Sequence, residues 1–136
     1  MLTCKNCSSA VKPSGKLYCS NQCQLENQYR AYVASWKQGK SRGDRGVRTK
    51  NISKHIRKYL FEKFHKSCSL CGWSEVNAFT GNVPLEVDHI DGNSENNLES
   101  NLRLICPNCH SLTNSFRNLN KGKGREWRRA RYIKSL

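Results

Sequence analysis

The chain lacks long hydrophobic runs, and its apolar residues are few. They make up 36% of the sequence, and no stretch approaches the ~20 apolar residues of a membrane-spanning helix. No basic segment followed by an apolar run, the pattern of a secretory leader, precedes Cys4. We therefore expect a cytoplasmic protein with no membrane partner, whose modest core needs a metal or a disulfide to stay folded.

Acidic residues are scarce as well. The 24 Lys and Arg outnumber ten Asp and Glu, so the formal net charge is +14. A polyanion is the natural partner of such a chain, and nucleic acid is the first choice. Two basic arms carry much of the excess, from Lys37 to Lys66 and from Arg117 to Leu136. Five of the ten acids lie instead between Glu86 and Glu99, and a divalent metal site explains this local reversal of charge.

Cysteine, in contrast, is plentiful. Eight cysteines form four close pairs with none left over: Cys4/Cys7, Cys19/Cys23, Cys68/Cys71 and Cys106/Cys109. Two four-cysteine zinc sites account for all of them, and we favour this interpretation over a disulfide scaffold, which is typical of secreted chains. Each occupied site lowers the formal charge by two, so the chain stays strongly basic, at +10, with both zinc ions bound.

The distribution of cysteine, glycine and basic residues divides the chain into four parts. They are an N-terminal four-cysteine zinc module with a helix (1–38), a basic linker (39–51), a larger domain (52–120) and a basic tail (121–136). The linker has the composition of a flexible segment or a DNA-tracking arm. The tail is either a short helix that lies on DNA or a disordered segment. The N-terminal module is either a fold-stabilising cap or a DNA-recognition element.

Two helices are predicted before Cys68. The first follows Ser20, a suitable N-cap, and the second runs from Asn51 or Ser53 to about His65. Helical spacing on the first favours core packing over base stacking for its aromatic residues. Its predicted apolar face consists of Leu25, Tyr29, Tyr32, Val33 and Trp36.

Basic side chains in the linker, the second helix and the tail are candidate phosphate contacts. They are Arg42, Arg45, Arg48, Lys50, Lys54, Arg57, Lys58, Arg128 and Arg129. On the second helix, a solvated basic face is the alternative to phosphate contact, and the sequence leaves both open.

Two short strands and a third helix are predicted further along. Apolar and polar residues alternate in Leu85–His89 and again around Arg103, which is typical of strands. The polar residues 90–101 between them predict an ordered loop. Pro107 occupies a position typical of the first turn of a helix, which we expect to continue to about Phe116.

A more specific pattern lies around the second group of cysteines. Cys68-Ser-Leu-Cys71 and Cys106-Pro-Asn-Cys109 can each supply two thiolates to a tetrahedral zinc, which is then structural because no position is open. Between the two cysteine pairs lie the sequences L-E-V-D-H-I-D-G-N and S-N-L-R-L, and the second pair is part of the sequence C-P-N-C-H. Their order and spacing resemble the HNH endonuclease family, over about residues 52–120.

The resemblance implies a fold class and a role for each residue of the motif. The fold would be small, α+β and zinc-stabilised, with a ββα-metal core, the N-terminal zinc module and connecting helices. His89 would be the general base, Asp88 and His110 would bind the catalytic metal, and Asn101 would hold the backbone that bears His89. Asn114, on the same predicted helical face as His110, would be a third metal ligand.

The resemblance also implies a function. The family hydrolyses phosphodiester bonds with a divalent metal, so we expect nicking or cleavage of double-stranded DNA by a monomer or homodimer. Mg²⁺ or Mn²⁺ is expected at the catalytic site, although Ni²⁺ and Zn²⁺ also suit such ligands. The layout resembles the free-standing homing endonucleases of bacteriophages, which would act in the host cytoplasm. The alternatives are a non-catalytic zinc-finger DNA-binding protein and a restriction or packaging-associated HNH nuclease.

Overall fold

The computed structural model of the chain describes residues 2–12, 16–45 and 51–120. Backbone contacts divide the chain into two units, Met1–Ser41 and Arg42–Leu136. Residues 42–45, which the sequence analysis placed in the basic linker, belong by these contacts to the second unit. No helix within the described segments is long and apolar enough to cross a membrane.

The first unit contains helix α1, Asn21–Lys37. Its start agrees with the prediction, because the Ser20 hydroxyl accepts a hydrogen bond of 3.1 Å from the backbone N–H of Cys23. Trp36 is buried, as expected for core packing, while Leu25 is 64% exposed. Leu25 was therefore wrongly assigned to the packed face. Leu25 lies in the second turn of the helix, whereas the buried residue of this face, Trp36, lies near the C-terminal end.

The second unit begins with helix α2, Lys54–Lys63, which is close to the predicted range. Ser53 caps it by accepting a hydrogen bond of 3.1 Å from the backbone N–H of His55. Ile56 and Leu60 lie one turn apart and are fully buried, so helical spacing gives this helix its buried face.

Two antiparallel strands follow, β1 (Glu86–His89) and β2 (Leu102–Ile105), which confirms both predicted strands. In their register Asp88 is opposite Arg103, and His89 is opposite Leu102. Successive side chains of a strand point to opposite faces, so Asp88 and His89 leave β1 on different sides. The hairpin packs into a buried core that includes two cysteines of the second four-cysteine group. The core residues are Val83, Leu85, Leu104, Ile105, Cys68 and Cys106.

Helix α3, Pro107–Ser111, begins at the predicted proline. The expectation that it continues to Phe116 is wrong, because it ends at Ser111. The residues at its end have hydroxyl groups that bond to the backbone one turn earlier: Ser111 Oγ donates to Asn108 O (2.7 Å) and Thr113 Oγ1 to His110 O (2.9 Å). Such side chains compete with helical hydrogen bonds, and this accounts for the early end.

Candidate active site

The four cysteines of the second unit form a cluster around the hairpin. The sulfur atoms of Cys68, Cys71, Cys106 and Cys109 all lie within 4.8 Å of one another. A zinc ion ~2.3 Å from each of four sulfurs would hold them ~3.8 Å apart, and Cys71 Sγ is 3.7 Å from Cys106 Sγ. The donor set and its spacing therefore fit a structural zinc.

The close packing of these sulfurs shifts the pKa values of Cys68 and Cys109 in opposite directions. Burial raises the pKa of Cys68, but hydrogen bonds from the backbone of Cys106 and Cys71 lower it by more, to about 6. Hydrogen bonding to the thiols of Cys106 and Cys71 raises the pKa of Cys109 to about 12. Backbone hydrogen bonds thus favour the thiolate form of Cys68, and zinc binding would displace any protons left on the cluster.

The N-terminal cysteines form a similar cluster in the first unit. The sulfurs of Cys4, Cys7, Cys19 and Cys23 also lie within 4.8 Å of one another. Cys19 Sγ is 3.5 Å from Cys7 Sγ and 3.5 Å from Cys23 Sγ, which again fits a tetrahedral zinc. Within the described parts of the chain, the two four-cysteine groups suggested by sequence spacing are therefore both assembled.

Asp88 lies in the middle of β1 and is only 5% exposed. Its Oδ2 accepts a hydrogen bond of 2.7 Å from Nε of Arg103, directly opposite on β2. A buried carboxylate needs a charged partner or a metal to offset its lost hydration. Arg103 was not among the site residues predicted from the sequence. Its position as the polar residue between Leu102 and Leu104, in the second predicted strand, was the available signal.

His110 lies in α3, next to Cys109, and reaches the strand face that carries Asp88. Its Nδ1 is 2.5 Å from Oε2 of Glu86. Glu86 and Asp88 are two residues apart on β1, so they share a face of the strand. Sequence reasoning missed Glu86 as well, although this alternation was available as a signal.

His89 lies at the end of β1, half-buried, on the opposite side of the strand from Asp88. Its Nε2 is 2.7 Å from Oδ1 of Asn97, a buried residue of the loop between the strands. The loop residue Asn97 was not among the predicted site residues. Nothing in the sequence distinguishes it from the other asparagines of the loop.

Asn101 ties the same loop together. It is 8% exposed, and its Nδ2 donates to Asp91 Oδ1 (2.9 Å) and Asn96 O (2.8 Å). Its Oδ1 accepts from the backbone N–H of Asp91 (3.0 Å), and its backbone carbonyl accepts from Ile90 (2.8 Å). These bonds fix the backbone immediately after His89.

Asn114 lies three residues beyond the end of α3 and is exposed. Sequence spacing predicted that Asn114 shares a helical face with His110 and binds the same metal. Because α3 ends at Ser111, Asn114 lies outside the helix and does not share that face.

The predicted phosphate contacts are only partly described. Arg42, Arg45, Lys54, Arg57 and Lys58 are exposed. Two of them also have structural contacts: Arg57 Nη2 donates to the carbonyl of Leu85 (3.3 Å), and Arg42 Nε lies 3.5 Å from Asp44 Oδ2 in an ion pair. Four further candidates lie outside the described residues: Arg48, Lys50, Arg128 and Arg129.

The hairpin, the loop bridged by Asn101 and the short helix α3 form a ββα site, beside four cysteines whose spacing fits zinc. Residues 68–116 match the HNH endonuclease family. Over 100 residues, 74% of its length, the chain is 31% identical to "H-N-H endonuclease F-TflIV" of Escherichia phage T5. The chain therefore contains a domain of the HNH endonuclease family, at residues 68–116. It spans 40% of the length of the phage T5 relative, and no solved structure matches it.

Proposed function

We propose that the chain is a metal-dependent endonuclease that nicks or cleaves double-stranded DNA. The observation that carries the proposal is the ββα site itself, in a domain that matches the HNH endonuclease family. One hairpin and the helix that follows it carry His89, the buried Asp88 and His110.

A divalent metal is the cofactor that the donor set suits. Asp88 and His110 would hold it, and a carboxylate oxygen with an imidazole nitrogen fits Mn²⁺ or Mg²⁺. When bound, the metal supplies Lewis-acid stabilisation of the charge on the scissile phosphate. The contact of Glu86 with Nδ1 of His110 leaves Nε2 of that ring as the nitrogen for the metal.

His89 is the general base of the proposed reaction. Water attacks phosphorus as its proton passes to His89, and the bond from phosphorus to the 3′ oxygen breaks. The leaving oxygen takes a proton from solvent, which gives a 5′-phosphate and a 3′-hydroxyl. Imidazole is the side chain best suited to proton transfer near neutral pH. Asn101 holds the loop backbone that follows His89.

The basic residues near this domain are the proposed phosphate contacts. Arg42, Arg45, Lys54 and Lys58 have exposed side chains, and phosphate contact by Lys and Arg supplies most of the sequence-independent affinity for DNA. Arg57 is a weaker candidate, because its guanidinium already bonds to the carbonyl of Leu85, a half-buried contact, whereas the side chain of Arg42 is 75% exposed even though it pairs with Asp44. Asn114 is a weaker candidate for the metal site.

The role we favour is that of a phage-type homing endonuclease acting in the cytoplasm. Support comes from the order of zinc module, basic segment and HNH domain, and from the phage origin of the relative. A restriction or packaging-associated nuclease would share the chemistry and differ in target. One site per chain nicks one strand, so a double-strand cut needs a homodimer or two successive events.

Supercoiled plasmid tests this proposal. The zinc-loaded protein should convert it to nicked circles with Mg²⁺ or Mn²⁺ and not with a chelator of these ions. His89→Ala should lose about 10²–10⁴-fold in rate. His65→Asn, a matched control in an exposed turn outside the site, should keep the wild-type rate. DNA binding by the wild type without metal-dependent nicking would favour the non-catalytic zinc-finger alternative.

A further inference from the structure

Asn97 differs from its neighbours in the loop between β1 and β2. It is 5% exposed, whereas most of the surrounding polar residues are exposed or half-buried. Its side chain joins two parts of the second unit. Oδ1 lies 2.7 Å from His89 Nε2, and Nδ2 lies 3.2 Å from the carbonyl of Arg42 and 3.3 Å from Oδ1 of Asp44.

These partners determine which way the amide of Asn97 points. A backbone carbonyl and a carboxylate accept hydrogen bonds and donate none, so the NH₂ group of Asn97 must face Arg42 and Asp44. The amide oxygen then faces His89. Because that oxygen only accepts, Nε2 of His89 must carry the proton, and Nδ1 is left as the ring nitrogen with a free lone pair.

The backbone at Gly43 allows this arrangement. Gly43 has φ +81°, and a Cβ atom there would lie 2.9 Å from Cβ of Asn97 and 2.6 Å from Cδ1 of Ile56. Only glycine lets the chain approach Asn97 this closely. The segment is fixed in turn by the hydrogen bond from Ser53 N to Gly43 O (2.7 Å) and by the bridge between Asp44 and Ile52.

From these contacts we infer that Asn97 is a positioning residue, which fixes the tautomer of His89 so that Nδ1 is the proton acceptor. Residues 42–44 hold Asn97 in place. The side chain of Asn97 therefore connects the basic linker (39–51) to the general base. The inference rests on the proposed function only for the role of Nδ1 as the proton acceptor in catalysis. The tautomer itself is a property of the protein without substrate.

Nitrogen NMR of histidine-labelled, zinc-loaded protein at alkaline pH tests the tautomer directly. The His89 signals are assigned by their loss in His89→Ala. The wild type should show His89 protonated at Nε2, and Asn97→Ala should show a mixture of both tautomers. Asn93→Ala, a control in the same loop, should match the wild type. A wild-type ring protonated at Nδ1 would overturn the inference, and so would an Asn97→Ala spectrum identical to that of the wild type.

Kinetics supplies the second readout. Asn97→Ala should lower kcat for plasmid nicking by about 10- to 100-fold, the scale of a misplaced catalytic group, with KM for DNA and the required metal concentration unchanged. If Asn97→Ala does not fold, Asp44→Ala, which removes one acceptor and leaves the amide, should give a smaller shift in the same direction. An equal tautomer population in that variant and the wild type would count against the anchoring by residues 42–44. If the wild type shows the Nε2 tautomer and does not nick DNA, the proposed function fails and the assignment of Asn97 stands.

Discussion

The carboxylate of Glu86 meets the imidazole of His110, with Oε2 2.5 Å from Nδ1. The contact joins the start of β1 to the last turn of α3. A histidine that binds a metal through one nitrogen is usually oriented by an acceptor at the other, and loss of that acceptor typically costs 10–100-fold in metal affinity or activity. Glu86 therefore has the geometry of a residue that orients a metal ligand.

Replacing Glu86 tests that role. Glu86→Gln should raise the Mn²⁺ concentration for half-maximal nicking by about 10-fold or more, because the amide holds His110 less firmly. Glu75→Gln, which removes the same charge from an exposed position, is the control. Metal titrations of the nicking rate measure both variants. A Glu86→Gln enzyme with the wild-type metal dependence would show that the contact does not support metal binding.

The zinc cluster of the second unit should be essential for its fold. Cys68 is 3% exposed and packs in the same core as Leu85 and Leu104. In small zinc modules, roughly 10–16 kcal/mol of apparent metal-binding free energy is coupled to folding. Cys68→Ser should therefore abolish cooperative melting of this unit and lower the zinc content from two ions per chain to one.

Ser69→Ala, at the exposed neighbouring position, should keep both properties. Circular dichroism and metal analysis measure the outcome. Normal melting with two zinc ions in Cys68→Ser would contradict the account.

The basic segment before α2 should contribute to DNA affinity through phosphate contacts. Removing one phosphate contact reduces the slope of log affinity against log salt by about 0.9. The double variant Arg42→Gln/Arg45→Gln should therefore bind DNA more weakly, with a slope reduced by up to about 1.8. This variant retains the backbone carbonyl at position 42, which bonds to Asn97, but removes the ion pair between Arg42 and Asp44. Fluorescence anisotropy over a salt series measures the slope.

A charge-matched control, Lys5→Gln/Lys12→Gln, removes two positive charges from the first unit. It distinguishes local contacts from the effect of total charge. If the slope is unchanged in Arg42→Gln/Arg45→Gln, these two side chains do not contact DNA.

Asp91 makes the loop sensitive to acid. Burial raises its pKa, but hydrogen bonds from Asn96, Asn93 and Asn101 lower it by more, so the net shift is downward. A carboxylate with a lowered folded pKa stabilises the fold above its unfolded pKa of ~3.9, and this contribution is lost as the pH falls through the folded value.

Asp91→Asn should consequently be less stable than the wild type at neutral pH, and the difference should shrink as the pH falls below ~4. Urea unfolding of both proteins over a pH series measures it. Zinc loss at low pH affects the two equally, because they have the same cysteines. A stability difference that is constant with pH would contradict the role of this carboxylate.

Much of the framework could be predicted from the sequence, because it depends on local spacing. Period-2 alternation located both strands, and the hydroxyl cap at Ser20 located the start of α1. The start of α2 was predicted at Asn51 or Ser53, and Ser53 is the residue that caps it. The cysteine pairs indicated both sulfur clusters. The end of α3 was missed, because helical periodicity continues past the point where Ser111 and Thr113 compete for the backbone.

The contacts that orient the site could not be predicted in the same way. The pairing of Asp88 with Arg103 requires the register of the hairpin, which the spacing alone does not determine. The contact between Asn97 and His89 depends on how a polar loop folds against residues 42–44. Several asparagines of that loop have the same local composition, and tertiary packing selects one of them.

His89 and the metal-binding pair, Asp88 and His110, have separate proposed roles, and a metal titration of the nicking rate distinguishes them. Single-turnover nicking rates are determined across a Mn²⁺ titration for the wild type, His89→Ala and His110→Ala. We expect His89→Ala to be slower by about 10²–10⁴-fold at saturating Mn²⁺, with an unchanged half-saturating Mn²⁺ concentration. We expect His110→Ala to require more Mn²⁺, because it lacks a proposed metal ligand. Wild-type rates in His89→Ala, or equal Mn²⁺ requirements in all three proteins, would rule out these separate roles.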